Sequence, residues 1–143
     1  MLLQLIYGTL LIIITVIVQA LFIGMAVHFL AKAGPWFERP SHSLKLLYTL
    51  VGLVLWLVAG LSVSAWLWAG AFLWLDIFND LESALYFSVV TFTTLGYGDM
   101  TLTAQWRILG SLLAVSGLII VGLNTAFLVE AISRIRSAQL EKV

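Results

Sequence analysis

Three stretches of this chain, 1–31, 46–75 and 108–129, contain no Asp, Glu, Lys or Arg. A bilayer core of about 30 Å takes about 20 helical residues to cross, and each stretch meets that length. Backbone polar groups in hydrocarbon find no water, so a chain this apolar must satisfy them internally, as helices do. Composition agrees: 62% of the 143 residues are hydrophobic and 10% charged, with mean hydropathy +1.10. A soluble domain has too much water-facing surface for that balance. The expected fold class is an all-α membrane protein with three transmembrane helices, in contact with membrane lipid. The net charge is zero, which offers no attraction for nucleic acid. The absence of cysteine excludes disulfides and thiolate metal sites.

Residues 1–31 invite comparison with a signal peptide, because Ala31-Lys32-Ala33 has the form of a cleavage site. The start, Met1-Leu2-Leu3-Gln4, carries no positive side chain, and the apolar run far exceeds the roughly 7–15 residues of a signal core. The stretch therefore reads as a retained N-terminal helix. His28 near its end suits an interfacial or packing position, with a proton sensor as the sharper alternative. Residues 32–43 read as a loop: Gly34, Pro35 and Pro40 break the helix, and Ser41 or Ser43 caps the next. Trp36 and Phe37 fit the headgroup layer, and His42 reads as solvated. The second span, 44–75, outruns the bilayer and must tilt or project. Trp66, Trp68 and Trp74 gather near its far end, as in an aromatic belt. Asn79 with Glu82 three residues on fits a capping box, opening a short helix over 80–92. A third helix covers 107–136, and 137–143 is a short tail.

Between the short helix and the third span stands Thr91-Phe92-Thr93-Thr94-Leu95-Gly96-Tyr97-Gly98-Asp99. Gly-Tyr-Gly-Asp alone is equally the text of a surface turn. Within a membrane chain, the run resembles the selectivity filter of potassium channels, whose Thr-Val-Gly-Tyr-Gly loop replaces the ion's hydration shell with backbone carbonyls. The chemistry can be argued from the residues. An extended strand points successive carbonyls to opposite sides. Turning them to one axis requires left-handed residues, which glycine adopts at little cost. Gly96 and Gly98 alternate with Leu95 and Tyr97 in the manner this needs, and Thr94 adds a hydroxyl at the inner end. Leu95 and Tyr97 then point away from the pore.

The resemblance covers about 44–136 and implies a pore domain: outer helix 44–75, re-entrant pore helix 80–92, filter 94–98 and inner helix 107–136. It implies K+ bound at Thr94, Leu95, Gly96 and Tyr97, K+ as the permeant ion, no cofactor and no enzymatic activity. One filter copy per chain implies a homotetramer, closed by rotational symmetry. In relatives the aspartate after the filter is braced by the pore helix. Some use a carboxylate there, but this chain has Val90 at that place. Tyr86, which matches a family tryptophan, becomes the expected partner of Asp99, and Thr93 joins them in filter support. By the same resemblance Gly117 holds the hinge position of the inner helix. Leu118, Val121, Thr125 and Val129 face the cavity, and Thr101 rings the outer mouth. Asn124 is either a helix–helix hydrogen bond, the favoured reading, or a cavity ligand. Glu130 is either a charged ring or a partner for Arg134.

Lys32, Arg39, Lys45, Arg134, Arg136 and Lys142 fall on one side of the expected topology, and Arg107 alone on the other. The positive-inside rule places the loop and tail in the cytoplasm and the N-terminus outside. This excludes the inverted pore of glutamate receptors. The whole resembles small bacterial channel-family proteins with one extra N-terminal helix, in the inner (plasma) membrane. Asp76, Asp80, Glu82 and Asp99 then lie on the outer side, where they are simply solvated or concentrate cations. No helix carries Arg or Lys at every third position, as a conventional voltage sensor does. Two rival functions are a weakly selective cation channel, suggested by Leu95 and Val90, and a non-conducting accessory subunit.

Overall fold

The computed structural model describes residues 2–32 and 42–140. Within them lie four helices and no strand: α1 Leu2–Lys32, α2 His42–Trp74, α3 Leu81–Phe92 and α4 Arg107–Leu140. Three of them, α1, α2 and α4, are long and apolar enough to cross a membrane. The 12 residues of α3 reach only about 18 Å at 1.5 Å per residue. The expected loop features at Gly34, Pro35, Trp36, Phe37, Arg39, Pro40 and Ser41 lie outside the described residues. So do Lys142 and the side chains of His42 and Ser43. The second helix begins two positions before 44, and α4 continues four beyond 136.

Ring contacts fix the direction of the helices. Tyr7 meets Trp74 edge-on at 5.9 Å, and Phe22 meets Trp56 at 4.9 Å, so α1 and α2 are antiparallel. Thr15 meets Ser116 and Gln19 meets Asn124, so α1 and α4 run parallel. The start of α1 therefore lies at the same end of the bundle as α3 and the loop into α4.

The main core joins α2, α3 and α4: Trp68 and Phe72, then Ala84, Phe87 and Phe92, then Leu109, Leu113 and Ile120, with Leu102 from the connecting loop. Rings pin α3 to α2: Phe72–Phe87 at 5.5 Å, Phe72–Phe78 at 5.9 Å and Phe78–Phe87 at 5.4 Å. Such pairs add about 0.5–1.5 kcal/mol each beyond area burial. A smaller cluster of Ala26, Leu53 and Ala131 closes the opposite end. The three tryptophans of α2 do not act together. Trp66 and Trp74 are exposed and suit a lipid belt, whereas Trp68 is fully buried. Two positions on a helix differ by about 200°, so Trp66 and Trp68 face opposite ways. Trp68 shares its face with Phe72 four residues on.

Candidate ion-conducting site

The site starts at the N-terminus of α3. Asp80, in extended conformation, is the N-cap, and its Oδ1 accepts the Ser83 amide at 2.7 Å. The expected cap at Asn79 is thus displaced by one residue. A carboxylate is as good a cap as an amide and also suits the positive end of the helix dipole. That Ser83 hydrogen bond, first among several, holds the Asp80 carboxyl below its usual value. Its capping contribution is therefore complete above the unfolded value, and it is lost as pH falls through the lower folded one.

At the far end of α3 the chain reverses into the filter stretch through its own amides. Thr93 N and Thr93 Oγ1 donate to Val89 O at 3.0 and 2.8 Å. Leu95 N and Gly96 N both donate to Val90 O at 3.0 and 3.1 Å, and Thr94 N donates to Thr91 O at 3.0 Å. The last carbonyls of a helix need partners from outside it. Here the first half of the filter stretch supplies them. Thr93 therefore supports the turn directly, through backbone and hydroxyl.

The backbone then alternates in hand. Thr94, Gly96 and Gly98 have φ of 61°, 54° and 78°, while Leu95 and Tyr97 keep negative φ. In an extended strand successive carbonyls oppose each other. Alternating left-handed with ordinary residues undoes that opposition and turns the carbonyls toward one side. The two glycines take this at little cost. Thr94 does not, because a β-branched residue at positive φ is an outlier. A Cβ at Gly96 or Gly98 would meet nothing within 4 Å, so within one chain the demand for glycine there is conformational.

Behind the stretch, Tyr86 Oη donates to Asp99 Oδ2 at 2.7 Å. Val90 is buried, so its side chain offers Asp99 nothing. Residues 93–99 are all exposed, including Leu95 at 54% and Tyr97 at 67%. Thr101 is exposed too, on an open groove of about 500 Å³ shared with Thr91, Arg107 and Ser111.

On α4, Leu118, Val121, Thr125 and Val129 recur at intervals of three and four and are all exposed, which makes one helix face. The Thr125 hydroxyl donates to Val121 O at 2.9 Å, leaving its lone pairs free. Asn124 is buried and accepts from Gln19 Nε2 at 2.7 Å, the helix–helix alternative of the two. Glu130 accepts from Arg134 Nε at 2.6 Å, with both side chains exposed. A pair so placed is worth little.

Gly117 is a point of close helix contact. The fourth helix passes through it without interruption. A Cβ there would overlap the Phe92 carbonyl oxygen and stand 2.7 Å from its carbon. The missing side chain is what lets α4 touch the end of α3. Thr15 and Gln19 on α1 were not among the candidate residues. Their signal was available: polar side chains four apart inside an apolar run mark a helix contact.

A family model described as ion channel matches residues 51–134, more than half the chain. The A-type voltage-gated potassium channel KCND3 of Homo sapiens and that of Rattus norvegicus are each 37% identical over 59 residues, covering 41% of this chain. The chain spans 9% of the length of these curated relatives. No solved structure matches. The matched segment runs from α2 through α3 and the alternating stretch into α4. This is a transport protein of the membrane rather than an enzyme, and it belongs to the ion channel family, in the potassium-channel pore group.

Proposed function

We propose that four copies of this chain form a potassium-selective channel, with Thr94 to Gly98 of each as one wall of the filter and K+ bound at Thr94, Leu95, Gly96 and Tyr97. The observation that carries this reading is the alternation of φ at 94, 96 and 98, in the stretch where the chain resembles known filters. One strand of carbonyls cannot surround an ion, and a fourfold ring can. The exposure of Leu95 and Tyr97 fits side chains that pack against neighbouring copies. Leu118, Val121, Thr125 and Val129 then face the cavity, and the C-terminal end of α3 lends it a partial negative charge that favours a cation. Asp99 is braced by Tyr86 and Thr101 stands at the outer mouth. The excess of Lys and Arg at the other end of the bundle supports a cytoplasmic position for that end, with the N-terminus outside.

Native mass measurement in detergent, paired with K+ efflux from vesicles holding purified protein, tests assembly and transport together. The reading expects four subunits and K+ efflux that Na+ does not match. Equal K+ and Na+ flux would support a weakly selective pore. Tetramers without flux would support an accessory subunit, and a conducting monomer or dimer would overturn the assembly.

A further inference from the structure

The first helix lies outside the segment that matches the family, yet it makes the bundle's buried polar contacts to α4. Gly8 lets α1 approach closely, since a Cβ there would overlap the Leu112 side chain. About two turns beyond it, Thr15 Oγ1 sits 3.1 Å from Ser116 Oγ. Thr15 Oγ1 also lies 2.9 Å from Leu11 O, and either hydroxyl can donate within the Thr15–Ser116 pair. Next comes Gln19, fully buried, whose Nε2 donates to Asn124 Oδ1 at 2.7 Å.

The Gln19–Asn124 pair is only half satisfied. Gln19 Oε1 and Asn124 Nδ2 are buried without partners. They are complementary, one acceptor and one donor, so a small sliding of α1 against α4 would close a second bond between the same side chains. Gln19 also sits in a notch on α2. A Cβ at Gly60 would stand 2.8 Å from Gln19 Oε1 and 3.2 Å from Nε2. The amide is thus held by three helices at once.

We propose that Gln19 is a positioning residue for conduction: by holding Asn124 it sets the rotation of α4, and so the direction in which Thr125 faces the cavity. This rests on the channel reading above. One residue along a helix is a turn of about 100°. Asn124 locked inward therefore directs Thr125 outward, on the face of Leu118, Val121 and Val129. Ser116 stands in the same relation to Gly117, so α1 grips α4 at two points that bracket the upper cavity. The half-satisfied amide pair gives the grip two arrangements, one bond or two. This makes α1 a built-in influence on how often the pore opens.

The test uses the full chain in planar bilayers, with Gln19→Leu, Asn124→Leu, the double variant, and the exchange of Gln19→Asn with Asn124→Gln. Each single Leu variant is expected to shift open probability about two- to tenfold, the range of one buried interhelical hydrogen bond. It also shifts block by tetraethylammonium applied from the C-terminal side. Reversal potential and tetramer fraction stay unchanged. The double variant shows less than the product of the two single effects, and the exchange returns toward wild type. Single variants with wild-type opening and block, or effects that multiply in the double variant, overturn the proposal. If the Leu variants fail to assemble, Thr15→Val removes the hydroxyl partner of Ser116 and is expected to shift opening by a similar factor. Wild-type opening in that variant overturns the proposal as well. A wild-type protein that passes no selective current overturns the channel reading and this one with it. A selective wild type with indifferent variants overturns this one alone.

Discussion

Tyr86 carries the hydroxyl that reaches Asp99, at 2.7 Å. A hydrogen bond to a charged group contributes about 1.5–3 kcal/mol, with the lower end expected where water competes. Tyr86→Phe should therefore speed the decay of macroscopic current without altering assembly, as patch recordings would show. Unchanged decay would assign Asp99 another partner. That partnership was legible from the resemblance together with the loss of a carboxylate at Val90. The left-handed Thr94 was not, because a β-branched residue shuns positive φ. It takes that conformation where the Leu95 and Gly96 amides turn back onto the Val90 carbonyl. At Gly117 an alanine methyl group would force α4 away from Phe92. Overpacking of this kind costs about 1–3 kcal/mol. Gly117→Ala should lower the midpoint of thermal dissociation of the assembly and disturb selectivity. A variant with wild-type melting and selectivity would show that α3 and α4 can part there freely.

Among the elements, the three spans were legible because a charge-free run long enough to cross a bilayer has few other uses. Their ends were less so, since a helix end depends on capping details that a residue's neighbours decide. Asn79 and Asp80 are both good caps, and only the geometry chose Asp80. The inward turn of Trp68 and the choice of Asn124 as the partner of Gln19 depend on which face meets which partner. Apolar runs that are hydrophobic all round do not reveal this. The charge-free interiors of 1–31, 46–75 and 108–129 carry a functional consequence. Moving one charge across the membrane is worth about 2.3 kcal/mol per 100 mV, so steep voltage dependence needs several moving charges. These 143 residues by themselves should open with weak voltage dependence, measured as a shallow conductance–voltage curve in planar bilayers. A steep curve that persists when salt is varied would contradict this.

At the scale of the whole molecule, one chain leaves its most specialised surfaces bare. The filter stretch, Tyr97 and the α4 face from Leu118 to Val129 are exposed together, whereas the opposite face of α3, with Ala84, Phe87 and Phe92, packs in the core with α2 and α4. The central claim is that the carbonyls of 94–98, turned to one side by a backbone of alternating hand, select potassium. The most direct measurement is the reversal potential of purified protein in a planar bilayer, with KCl on one side and NaCl on the other, beside Gly96→Ala. The account predicts a wild-type reversal potential far from zero, with the KCl side negative, as K+ leaves that side and Na+ does not replace it. It predicts loss of that selective current in Gly96→Ala, where a side chain is forced into the left-handed region. A wild-type reversal near zero, or a Gly96→Ala variant that conducts with an unchanged reversal potential, would contradict it.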